Sequence, residues 1–113
     1  MTAKSWEEIA GVYSDLIKNG WKLEKMHELV LHIKSSPYSN RLFGTTSLDK
    51  LILSIYNPID PFKESLHISL DRNENLWSFQ YFAIPFKEPE FKRTYDADKG
   101  IEKLDSFIKM IGW

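Results

Sequence analysis

The 113-residue chain contains no cysteine. Structural disulfides, thiolate nucleophiles and cysteine-based zinc sites are therefore excluded. Glycine is sparse: its five residues are scattered, so no Gly-rich loop is present to cradle a phosphate. No serine sits in a Gly-x-Ser-x-Gly turn, the strained elbow that presents a hydrolase nucleophile. Neither sign of charge dominates, since 15 Lys and Arg stand against 16 Asp and Glu for a net −1. A dedicated nucleic-acid binder draws much of its affinity from clustered cations, so nucleic acid is a disfavoured partner. No stretch approaches the ~20 apolar residues of a membrane span. The opening MTAKSWEEIAG lacks the apolar core and small-residue cleavage site of a signal peptide. No membrane partner is expected, and these absences fit a cytoplasmic protein.

What is present is ordinary globular composition, 42% hydrophobic and 27% charged, with a high aromatic share of 14%. A chain of this size forms one domain, residues 1–113, and buries roughly two thirds of its unfolded surface without metals or cross-links.

Ser5 and Glu8 make a capping box, S-x-x-E. Behind it Trp6, Ile9, Ala10, Tyr13, Leu16 and Ile17 recur at helical spacing, and Asn19-Gly20 supplies the stop. Residues 29–34 alternate, Leu29, Leu31 and Ile33 against Val30, His32 and Lys34, which predicts a half-buried strand. Residues 35–40 read as a turn and 41–46 as a short strand broken near Gly44. Residues 47–57 fit either a helix or a strand; the short Ile- and Leu-rich run ending at Asn57-Pro58 favours the strand. Residues 57–63, NPIDPFK, form a loop.

Residues 64–85 predict a hairpin around the polar turn 71–75. Leu66, Ile68 and Leu70 share one face of its first arm; Trp77, Phe79 and Tyr81 share one face of the second. Residues 85–95 cannot form an inner strand, because Pro85 and Pro89 donate no amide to a ladder; an extended segment crossing the sheet edge is expected. Asp96 or Asp98 is expected to cap a last helix with Ile101, Leu104, Phe107, Ile108 and Ile111 on its apolar face, and with Asp105 and Lys109 paired on its wet face.

Short connections favour antiparallel neighbours. The expected fold is α+β, a two-layer domain in which an antiparallel meander of four to five strands carries the N-terminal and C-terminal helices on one face. The inward set is Leu29, Leu31, Ile33, Leu51, Leu53, Ile55, Leu66, Ile68, Leu70, Trp77, Phe79 and Tyr81. The outer face would then carry Val30, His32, Lys34, Lys50, Ile52, Ser54, Tyr56, Ser65, His67, Ser69, Ser78, Gln80 and Phe82.

His32 and His67 are the one pair on that face able to approach each other. No carboxylate joins them, and zinc needs a third protein ligand, so no metal, cofactor or catalytic set is assigned. The expected partner surface comprises His32, Tyr56, His67, Ser69, Asp71, Glu74, Ser78, Gln80 and Phe82, where rings beside neutral polar groups suit protein contact. A small ligand-binding or enzymatic domain using His32 and His67 is the alternative, and a homodimer through Ile52, Tyr56 and Phe82 is a further one. Phe86, Lys87, Phe91, Lys92, Arg93 and Tyr95 interleave cations and rings, but Glu88 and Glu90 dilute the charge that single-stranded nucleic acid would need. Asp60, Glu64, Asp71, Glu74, Glu88, Glu90, Asp96 and Asp98 fall in loops or segment ends, available to a basic partner.

In size and layout the chain resembles the small bacterial immunity proteins that neutralise toxins exchanged between competing cells. The resemblance covers the whole chain as architecture and rests on no motif. It implies a non-enzymatic inhibitor that binds a cognate toxin and occludes its active site. The near-zero net charge departs from the strongly acidic members that block nucleases.

Overall fold

In the computed structural model, which describes residues 2–113, helix α1 (Trp6–Lys18) starts at the capping box read from the sequence. The Glu8 amide donates to Ser5 Oγ at 3.1 Å and the Ser5 amide to Glu8 Oε1 at 3.5 Å. These two bonds satisfy donors that a helix start otherwise leaves free. Trp6, Ile9 and Tyr13 form its buried stripe. Past Asn19, Gly20 takes a φ of 92°, and the Trp21 amide returns to the Leu16 carbonyl at 3.0 Å, closing the helix with a left-handed turn.

Residues 29–34 are not a strand. They are the second half of helix α2 (Glu24–Lys34), whose buried residues are Met26, Leu29, Val30 and Ile33. Those positions follow the three- and four-residue spacing of a helix face. The alternation of Leu29, Leu31 and Ile33 is a by-product of that stripe: Leu31 is 41% exposed, whereas Val30 is fully buried. A six-residue window holds fewer than two helical turns, too little to separate the two periods. The domain therefore has three helices where two were expected.

Five strands follow: β1 (Phe43–Ser47), β2 (Lys50–Ser54), β3 (Ser65–Asp71), β4 (Leu76–Phe82) and β5 (Phe91–Asp96). Their order in the sheet is their order in the chain, and every neighbour is antiparallel. The fold is α+β, an antiparallel meander with helices on one face. Residues 47–57 contain strand β2, as the Ile- and Leu-rich run predicts. Gly44 does not break β1: a Cβ there would meet Ile9 Cδ1 at 2.9 Å and the Trp6 ring at 3.1 Å, so glycine is what lets α1 lie against the strand. Residues 91–96 pair with β4 along its edge, beyond Pro85 and Pro89, so the segment joins the sheet where missing amides do no harm.

Helix α3 (Gly100–Ile111) has no side-chain cap from Asp96 or Asp98. Asp96 closes β5, and Ala97–Lys99 form a 3-10 turn. The Ala97 carbonyl accepts Trp77 Nε1 at 2.8 Å, which ties this turn to the sheet and places the helix start beyond both aspartates. Asp105 lies 3.1 Å from His32 Nε2 and thereby joins α3 to α2, in place of the expected contact with Lys109.

The inner sheet face carries Leu51, Leu53, Leu66, Ile68, Leu70, Trp77, Phe79 and Tyr81, all buried in one cluster with Ile9, Tyr13, Met26, Leu29, Ile33, Leu104 and Phe107. The Phe79 ring meets Tyr95 at 5.3 Å and Phe107 at 5.7 Å, both edge-on, the arrangement that aromatic quadrupoles favour. Each large side chain buried here contributes roughly 1.5–3 kcal/mol. All three helices are committed to this side, which leaves the reverse of the sheet without a helical cover.

Candidate functional site

Strand register aligns the outward residues. Ile52 stands opposite His67, His67 opposite Gln80, Ser65 opposite Phe82, and Ser69 opposite Ser78. Two proline-containing loops fold over one end of this face. Residues 55–64 leave β2 and bring Ile59, Pro61 and Lys63; residues 83–90 leave β4 and bring Pro85 and Phe86. Between loops and sheet lies a cleft of about 310 Å³, lined also by Ile52, Asp60, Ser65, His67 and Phe82. Ile59 is buried yet lies outside the inner cluster, so the first loop has its own apolar anchor.

The loops are held by local bonds. Asp60 Oδ1 accepts the Phe62 amide at 2.8 Å, the Asp60 carbonyl accepts the Lys63 amide at 3.1 Å, and Ser54 Oγ accepts the Tyr56 amide at 3.0 Å. The Glu90 amide donates to the Tyr81 carbonyl at 2.8 Å, fixing the far end of the second loop.

The lip of the cleft is apolar and open to solvent. Phe62 is 73% exposed and Phe86 81%, with their ring centroids 5.7 Å apart; neighbouring Ile84 is 62% exposed. Phe86 also holds a φ of 62°. A bulky residue rarely adopts that conformation, and strain of this kind collects at ligand clamps and switch regions.

His67 lies at the floor. Its Nε2 is 3.2 Å from Ser65 Oγ, and its ring centroid is 4.7 Å from that of Phe82. Burial, and then the Lys50 ammonium, push the imidazole down to about 4, so it is neutral at pH 7. A serine at this distance from a histidine matches the spacing of a nucleophile and its base. Such a base works when a carboxylate welcomes the imidazolium. Here a cation and a low-polarity environment both oppose it. The chemistry this floor offers is one neutral hydrogen-bonding pair in an apolar setting.

Beside the cleft, Glu64 collects two phenols: Tyr56 Oη donates to Oε1 at 3.2 Å, and Tyr81 Oη donates to Oε2. Both phenols are held above their ordinary range, Tyr56 chiefly by that bond and Tyr81 chiefly by burial. Lys63 Nζ lies 4.6 Å over the Tyr56 ring. Asp60 and Glu64 are thus engaged by donors of their own chain. Among the described residues, Lys50 and Lys63 form no ion pair with a carboxylate.

Of the residues expected at a partner surface, His67 and Phe82 line the cleft, Ser69, Ser78 and Gln80 continue the same face, and Tyr56 flanks it. Asp71 and Glu74 lie at the opposite end of the hairpin. Asp71 Oδ1 accepts the amides of Asn73 and Glu74 at 2.9 and 3.0 Å, a turn-forming role. His32 is not on the sheet at all: it belongs to α2 and faces Asp105. The expected His32/His67 pair therefore does not form. No group of three potential metal ligands occurs among the described residues, and none of their helices is long and apolar enough to cross a membrane.

Sequence reading missed Ile59, Pro61, Phe62 and Lys63, and met Phe86 only within a run of alternating cations and rings. A signal did exist: NPIDPFK and IPFKEP set large apolar residues among prolines, where a purely solvated loop has little use for them. Comparison with protein-family models, with curated proteins and with solved structures gives no match.

Proposed function

We propose that this chain is a non-enzymatic protein-binding domain that meets its partner with the outer sheet face, centred on the cleft. The observation that carries this reading is the lip: Phe62 and Phe86 stand exposed with their rings 5.7 Å apart, and Phe86 lines an apolar cleft. Single exposed apolar residues are ordinary, but a group rimmed by polar residues marks contact surfaces. Interfaces concentrate energy in aromatic anchors near their centre. The neutral His67 floor supports binding over proton transfer. The resemblance to small bacterial immunity proteins gives the reading its concrete form, a cytoplasmic inhibitor that occludes the active site of a cognate toxin.

Calorimetric titration of the purified chain into the product of the adjacent upstream gene tests this. A complex near nanomolar affinity, with the partner's activity lost at saturation, is expected. Absence of a complex, or a complex that leaves the partner fully active, removes the inhibitor reading.

A further inference from the structure

We propose that the outer-face cleft is a binding site for a small apolar carboxylic acid, whose body lies on Ile52, Phe82 and Phe86 and whose carboxylate meets Lys63. The inference goes beyond the protein-binding reading, since it requires no protein partner.

Size and lining come first. A cleft of about 310 Å³ falls within the range of small-molecule sites, which combine apolar walls with a few polar groups that orient the ligand. The walls here are Ile52, Pro61, Phe82, Pro85 and Phe86, and the polar groups are Ser65, His67, Asp60 and Lys63. The bonds from Asp60 to its own loop and from Glu90 to Tyr81 make the loops part of the folded structure, so little ordering remains for a ligand to impose.

The cations without an ion pair favour an anion. Asp60 Oδ1 accepts the Phe62 amide, and the two oxygens of Glu64 accept from Tyr56 and Tyr81, so both carboxylates are held by their own chain, whereas among the described residues Lys63 and Lys50 form no ion pair. Lys63 is in the lining, its Nζ over the Tyr56 ring. Lys50 extends from the same strand face two residues before Ile52. His67 adds hydrogen bonding and no charge. A carboxylate at the mouth would gain a charge-assisted partner in Lys63, while its apolar body displaces water from the walls.

The experiment is a heteronuclear NMR titration of the intact chain with 1-naphthylacetate, its neutral amide, and 1-naphthylmethylamine. Saturable amide shifts at Ile52, His67 and Phe82 and in both loops are expected for the acid. Its affinity should exceed that of the amide by roughly five-fold, the scale of a solvent-facing ion pair, and the amine should bind weakest. Lys63→Gln should bring the acid down to the level of the amide, whereas Lys109→Gln on α3 should leave it unchanged; the spectra themselves report that each variant is folded. Equal binding of acid and amine, shifts outside the cleft, or no effect of Lys63→Gln would overturn the proposal.

Discussion

The two faces of the same sheet are finished in different ways. One is closed by three helices over Leu, Ile, Trp and Phe side chains, and the buried Trp77 Nε1 on it has a partner in the Ala97 carbonyl. The other mixes His67, Ser65, Ser78 and Gln80 with Ile52 and Phe82 and is covered at one end by two loops, leaving Phe62 and Phe86 in solvent. Alternation along β3 and β4 builds both faces from one sequence. The difference separates the inner face, which supplies stability, from an outer face that retains exposed apolar surface, the surface to which the proposed binding role is assigned.

Truncations on the two faces should therefore differ most. Phe79→Ala on the inner face should cost about 3–5 kcal/mol, whereas Phe82→Ala, half-buried and open to water on one side, should cost about 1–2 kcal/mol. Urea midpoints measure both, and equal losses would remove the distinction.

His67 gives the next effect. Unfolded, it titrates near 6.5; folded, it is held at about 4. Between those values the unfolded chain binds the extra proton, so stability is complete above pH ~6.5 and falls as pH drops toward 4. Allowing for partial solvent screening, the loss should be about 2 kcal/mol. His67→Gln should flatten the slope of stability against pH across that window.

The smallest effect should have the opposite sign. Phe86→Gly removes a bulky side chain from a left-handed conformation, and relief of that strain offsets the entropy that glycine loses on folding. Stability measured by thermal denaturation should stay level or rise by up to about 1 kcal/mol, while binding at the cleft is lost. A clear destabilisation would mean that the exposed ring serves the fold.

The division between faces was partly legible in the sequence. Period-2 alternation placed Leu66, Ile68, Leu70, Trp77, Phe79 and Tyr81 inward, and the capping box located the start of α1, because these signals are local and repeat often enough to be unambiguous. Residues 29–34 failed because the helical stripe starts at Met26, outside the window in which the alternation was seen. That error carried His32 onto the wrong side of the molecule and created a histidine pair that does not exist. The cleft was only half legible for a different reason. Its floor follows strand periodicity, but Ile59, Phe62 and Phe86 lie in loops held over the sheet by contacts between separate segments, such as Phe62 with Phe86, Glu64 with Tyr81 and the Glu90 amide with the Tyr81 carbonyl. No period encodes contacts of that kind.

The most direct measurement compares the parent with a Phe62→Ser/Phe86→Ser variant in two assays, thermal denaturation and titration against the adjacent upstream gene's product. If the lip is the recognition surface, the variant melts within a few degrees of the parent and binds roughly a hundred-fold more weakly, the loss expected when central aromatic anchors are removed. A variant that melts like the parent and binds with undiminished affinity would contradict the assignment of recognition to the outer face.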